Sequence, residues 1–277
     1  MRTWVKRLLA TVLLLILGIA AVAYGGFRMF KGAPAWYRRP LSSAGERELL
    51  ARRAFNKFAN IQNAAALARQ DQLEAGATVL PAAPIAVTFS DDELNAFFEK
   101  WESYANWKSN YDRYFDNPLI LIEDRHLVLA AGVKDLGSVI SVGFDPRMDS
   151  AGKLRLELDR VQAGQLPMPG VVTEPYRQRL ESTLRASLPR WEGAAAVNPD
   201  GAANVSLISA AMAKLCLHML AHEPAEPLLF LPLVQRRANV PVRILDIRLE
   251  DHTVNLLVRP LDLRERAALV AQVRDDR

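Results

Sequence analysis

Cysteine is nearly absent. The 277 residues hold one, Cys216, which excludes an internal disulfide framework and any multi-cysteine metal site. Its neighbours Leu215 and Leu217 make it read as a small buried hydrophobe. A dominant charge is lacking too. The 35 Lys and Arg residues against 31 Asp and Glu leave a net charge of +4, and several of the basic residues flank the N-terminal apolar run. The remainder is close to balance, which removes the electrostatic case for a nucleic-acid partner. Phosphate loops of the GxxxxGK[ST] type, a GxGxxG turn after a strand and a GxSxG nucleophile elbow are all missing. Serine, histidine and aspartate occur, but no spacing selects a triad, which is recognised by geometry rather than by order. The adjacent carboxylates Asp91/Asp92 and Asp275/Asp276 are explained by a helix start and a chain end. No catalytic residue, cofactor or metal is expected, and the chain reads as non-enzymatic.

His218 and His222 come closest to a metal motif, because four residues on a helix set two imidazoles on one face, with Glu223 nearby as a third ligand. The residue after His218 is Met219, so the glutamate base of HExxH is absent. Histidines at a helix end, favoured by the negative pole of the helix dipole, are the simpler account.

What is present begins with residues 8–27, LLATVLLLILGIAAVAYGGF, without a charge. Twenty helical residues reach about 30 Å, the thickness of a bilayer's hydrocarbon core. Arg2, Lys6 and Arg7 precede the run and Arg28 and Lys31 follow it. Trp4, Tyr24, Phe27, Trp36 and Tyr37 stand where aromatic rings favour the headgroup region. Ala21-Val22-Ala23 also fits a signal-peptide cleavage site, but the apolar run exceeds the usual signal h-region and continues past that cut. Residues 1–30 are therefore expected to be a cytoplasmic arm and an uncleaved transmembrane anchor. The KGAPAWYRRPL stretch within 31–43 is expected to be a tether, and 44–277 an extracytoplasmic domain. Half the residues are apolar and 24% charged, so that domain is globular.

Ser43 and Glu46 have the capping-box spacing, and Leu50, Ala54, Phe58, Ile61, Ala65 and Ala68 recur along the helix that follows at steps of three and four. The stripe reads as packing on the domain's own core, with a stalk or dimerising coil as the alternative. Residues 85–89 read as a strand, and Ser90 with Glu93 caps the next helix. Trp101, Tyr104, Trp107, Tyr111 and Tyr114 would share one helical face; such a stripe suits a core, a headgroup-level surface or a partner. Beyond Pro118 the period changes to two. Hairpins are expected over 119–133 and 139–161, with Leu154, Leu156 and Leu158 facing one way and charged residues the other, as in an antiparallel meander. Asn204 is expected to cap an apolar helix over 205–221, too short and too charged at Lys214 and His218 for a second span. A last hairpin, 240–258, should carry a bulge near Leu245 because its apolar parity switches there. The fold class is α+β: an N-terminal transmembrane helix, then a curved antiparallel sheet packed on long helices.

The strand leading into Ser90-Asp91-Asp92-Glu93-Leu94-Asn95, the break Gly164-Gln165-Leu166-Pro167-Met168-Pro169 and the closing VPVRILDIRLEDHTVNLLV resemble the YpmS-like bacterial membrane-anchored proteins and the related tubular lipid-binding (TULIP-like) domains. That resemblance implies a curved sheet around a helix, leaving an apolar groove for acyl chains beside a membrane anchor. The expected groove rows are Ile140, Val142, Leu154, Leu156, Leu158, Val254, Leu256 and Val258. The expected function is that of a single-pass envelope protein binding membrane lipid or another apolar ligand. The alternative is an anchored scaffold or assembly factor meeting an envelope protein partner through the aromatic face.

Overall fold

A computed structural model describes residues 24–37, 43–75, 82–100, 114–123, 125–197, 203–231 and 241–275. After a helical segment at 24–31 and a 3-10 turn at Ala35–Tyr37 come helix α1 (Ala44–Ala75), strand β1 (Ile85–Ser90) and helix α2 (Asp91–Lys100). Strands β2 (Phe115–Glu123), β3 (His126–Val133), β4 (Ser138–Met148), β5 (Leu154–Ala163) and β6 (Leu166–Pro167) follow. Helices α3 (Gly170–Ala194) and α4 (Val205–Ala221), strands β7 (Leu228–Phe230), β8 (Pro241–Glu250) and β9 (Thr253–Pro260), and helix α5 (Leu263–Asp275) complete the order.

The class is α+β, as the periodicities imply, but the single curved sheet is replaced by two antiparallel ones. One has four strands in the order β1-β9-β8-β7 and the other is the five-stranded meander β2-β3-β4-β5-β6. They separate because β1 pairs with the closing hairpin, Ile85 opposite Val258 through Ser90 opposite Thr253, while α2 leads the chain away before β2 begins. The bulge in β8 falls between Ile244 and Asp246, where the parity switch places it.

The α1 stripe is core, not stalk. Ala54, Phe58, Ile61 and Ala65 are buried against Phe89, Phe97, Val242, Ile244, Val254 and Val258, with Phe58 stacked on Phe89 at 4.6 Å between ring centres. Removing a buried phenyl ring of this kind costs about 3–5 kcal/mol. A second cluster joins α4 and α5 through Leu207, Ala210, Leu261 and Leu269. Asn204 caps α4 by accepting from the Leu207 N–H at 2.8 Å, and its amide donates to the Ala194 carbonyl of α3 at 2.8 Å, so one side chain serves two helix ends. No residue of α3 is fully buried, and the helix is pinned to α4 by the buried Lys214 bound to Glu192 at 3.1 Å.

The two sheets meet at the outer edge of β2. A free edge presents unpaired N–H and C=O groups that invite foreign strands. Here the start of α2 answers them. The Asn95 amide accepts from the Ile120 N–H at 2.7 Å and donates to the Ile120 carbonyl at 2.6 Å, acting as one residue of a strand. Two positions on, Asp91 Oδ2 accepts from the Ile122 N–H at 3.4 Å and the His252 N–H donates to the Ile122 carbonyl at 3.0 Å. His252 sits in the β8–β9 turn with φ +58°; its carbonyl accepts from the Asp91 N–H at 3.0 Å and its Nδ1 lies 2.9 Å from Asp91 Oδ2. Ser90 and Glu93 close the capping box in both directions, at 3.1 Å each, and Lys57 of α1 pairs with Glu93 at 2.5 Å. Acidic residues that resemble a catalytic cluster in one dimension are a joint in three.

Asn95→Ala leaves two covered groups on Ile120 without partners, which should cost about 2–4 kcal/mol, seen as a lower midpoint in urea denaturation. His252 is raised above its ordinary 6.5 by its hydrogen bond and charge pairing with Asp91, helped by Asp251 and Asp92. A raised folded-state value means the contribution is complete below pH about 6.5 and is lost as the pH climbs through the raised value. Melting temperature should therefore fall over that interval in the native chain. In His252→Asn, which keeps a residue tolerant of positive φ, the step should vanish.

Candidate functional site

The helical segment 24–31 ends in the structure's most closely fitted junction. A helix leaves its last four carbonyls without intrahelical partners, and three of these four are answered. The Arg28 carbonyl accepts from the Gly32 N–H at 2.8 Å and the Met29 carbonyl from the Gln165 N–H at 2.9 Å. The Phe30 carbonyl accepts from the Ser138 hydroxyl. Gly164 makes the approach possible. It has φ +59°, and a Cβ there would stand 2.2 Å from the Phe30 oxygen and 2.4 Å from that of Met29, so no residue with a side chain fits. The β5–β6 turn is thus shaped to receive a helix end. Lys31 reaches across to the Leu136 carbonyl of the β3–β4 turn at 2.5 Å.

Downstream of the junction, Ala33, Trp36 and Tyr37 pack on Leu119, Ala130 and Val139 of the five-stranded sheet. The β2–β3 ladder slips between Asp116 and Leu119, and Tyr37 fills the gap. Its hydroxyl donates to the Asn117 carbonyl at 2.7 Å and accepts from the Gly132 N–H at 3.1 Å, replacing the missing strand partner. Residues 33–37, read in sequence as part of a loose tether, are therefore a fitted cover on this sheet.

The residues singled out in sequence distribute differently. The eight expected groove residues do not form one wall. Val254, Leu256 and Val258 belong to the four-stranded sheet and pack into the α1 core, with Val258 fully buried. Ile140, Val142, Leu156 and Leu158 lie half-buried on the five-stranded sheet, and Leu154 is buried beside Ala225, exchanging two backbone hydrogen bonds with it. The alternation along β5 holds, with Arg155, Glu157 and Asp159 exposed, but the two sheets separate what a single curved sheet would have joined. Trp101, Tyr104, Trp107 and Tyr111 of the aromatic face lie outside the described residues; Tyr114 is exposed beside Phe115. The apolar run 8–27 lies outside them up to residue 23, and among the described residues no helix is long and apolar enough to cross a membrane. His222 ends α4 in the left-handed region at φ 57°, its N–H donating to the His218 and Met219 carbonyls, and His218 Nδ1 lies 3.4 Å from Glu223. Among the described residues no three such groups converge as a metal site. Burial pushes the Cys216 thiol up, which disfavours the reactive thiolate.

Sequence reading missed a polar cleft of about 510 Å³ where the two sheets adjoin, lined by residues that include Arg125, Asp145, Arg147, Arg248 and Glu250. Arg147 is held by Asp145 and Arg248 by Asp246, pairs two residues apart along single strands. Their i, i+2 spacing was visible in the chain, but the facing of two strands from different sheets was not.

Gly164→Ala should undock residues 24–37, because it combines a left-handed backbone costing about 1–2 kcal/mol with contact against two carbonyl oxygens. Limited proteolysis should then cut between residues 32 and 43 at least several-fold faster than in the native chain. Tyr37→Phe, which removes one hydroxyl worth about 1 kcal/mol, should show a smaller increase at the same place.

Comparison with protein-family models, with curated proteins and with solved structures finds no match to this chain.

Proposed function

We propose that this chain is a single-pass, membrane-anchored envelope protein of non-enzymatic type, whose folded body serves as a scaffold presented at the membrane to a protein partner. The observation that carries the reading is the seat built for residues 24–31. An uncharged run of bilayer length leads without interruption into a helix whose final carbonyls are received by the body. The preferred orientation keeps the amino terminus inside and the body outside, since a long C-terminal domain is translocated largely regardless of flanking charge.

Scaffold is preferred to lipid carrier because three of the eight residues expected to line a groove are taken up by the core: Val254, Leu256 and Val258 belong to the cluster closed by Ala54, Phe58 and Ile61 of α1. The exposed ring of Phe98 borders the segment carrying Trp101, Tyr104, Trp107 and Tyr111, and aromatic residues of this kind are enriched at protein interfaces.

Alkaline carbonate extraction of membranes should leave the full chain in the pellet and release a chain lacking residues 1–27. Protease added from outside should digest the body while sparing an amino-terminal tag. A mature protein recovered soluble and beginning at Tyr24 overturns the reading.

A further inference from the structure

We propose that the end of the five-stranded sheet around the seat lies on the bilayer surface, so that the body is held in one fixed posture on the membrane rather than swinging from a tether. The proposal rests on the anchored reading above and deepens it by naming the membrane-contacting residues.

Four pieces of chain converge on this end. Residues 29–31, the end of the 24–31 helix, arrive here. The β3–β4 turn is tied to them by Lys31 on the Leu136 carbonyl. The start of β2 is tied to that turn, since the Lys134 N–H donates to the Tyr114 carbonyl at 3.0 Å and Phe115 pairs with Val133. The β5–β6 turn, which grips Met29 and Phe30, feeds directly into α3 at Gly170. Exposed apolar side chains stand on these pieces, Met29, Tyr114, Phe115 and Leu136, and α3, which follows the β5–β6 turn in the chain, opens on Val171 and Val172 with Val171 81% exposed.

Single exposed apolar residues need no explanation. A set of them on segments tied to the end of one helix does. A bilayer is the occupant because the 8–27 run places one there: a helix that continues into hydrocarbon brings the headgroup layer to the level of its last turn, where Phe27 and Met29 are themselves exposed. Tyr114 and Phe115 suit that layer, and the Lys134–Asp116 ion pair at 3.2 Å stands beside them at its polar level. The opposite ends of the same strands, about 25 Å away by strand rise, carry Arg125 and Arg147, which line the cleft against β8 of the other sheet.

The test uses the full chain with Cys216→Ala, reconstituted in bilayer discs of phosphatidylethanolamine and phosphatidylglycerol. A nitroxide is placed singly through Leu136→Cys, Val171→Cys, Arg155→Cys at the far end, or Leu15→Cys in the apolar run. The ratio of accessibility to oxygen over accessibility to a water-soluble nickel chelate reports depth. Labels at 136 and 171 should show a ratio several-fold above that at 155, with the label at 15 highest of all. Labels at 136 and 171 that match 155 while 15 reports hydrocarbon overturn the posture and leave the anchor standing. A water-exposed label at 15 overturns both. With Gly164→Ala added, the ratios at 136 and 171 should fall toward that at 155 while 15 is unchanged; unchanged ratios at 136 and 171 would show that the seat does not set the posture.

Discussion

A backbone N–H or C=O withdrawn from water must find a partner, and this fold is organised by two places where secondary structure alone cannot supply one. The outward edge of β2 is the first. Its groups at Ile120 and Ile122 are answered by Asn95, Asp91 and His252, drawn from α2 and from the far end of the chain. The end of the 24–31 helix is the second, where Gln165 and Ser138 answer the Met29 and Phe30 carbonyls. The five-stranded sheet is thus held along its edge to the α1 core and at its end to the N-terminal helix. Each attachment depends on side chains or turns that have no alternative geometry.

Such attachments transmit position. A flexible linker would leave the body free to rotate about the N-terminal helix, whereas carbonyls seated in a glycine turn and a tyrosine inserted into a slipped ladder couple the helix to the sheet. The core on the other side of the joint is close-packed, with Phe58 between Phe89 and Phe97. A close-packed interior of this kind is rigid and transmits displacement. Together these features describe a body that presents a surface, which is what a scaffold requires.

Much of this was legible in the chain because it is local. Ser90 and Glu93, Asn204, the α1 stripe and the bulge beside Leu245 each depend on residues within a few positions of one another, so spacing alone predicts them. The capping box of α5, Asp262 with Glu265, has the same spacing with Asp in place of Ser or Thr and was equally open to such a reading. The groove was not legible. Alternation assigned Leu154, Leu156 and Leu158 to one side of a strand and Val254, Leu256 and Val258 to one side of another, but period two says nothing about whether two strands share a sheet. Asp91 and Asn95 illustrate the same limit, since helix-start chemistry accounts for the first turn of α2 and is silent about Ile120 and Ile122.

The sequence by itself determined the elements, their caps and their buried faces, because these follow from hydrogen bonding and apolar periodicity within one segment. Only the tertiary structure decided that β1 joins β9 instead of β2, that the stretch after the N-terminal helix is a fitted cover, and that Gly164 is the seat of a helix end. Those outcomes turn on contacts between residues 79 or more positions apart. There, the need to satisfy the backbone groups of one segment is met by whichever distant segment the whole chain can bring into register.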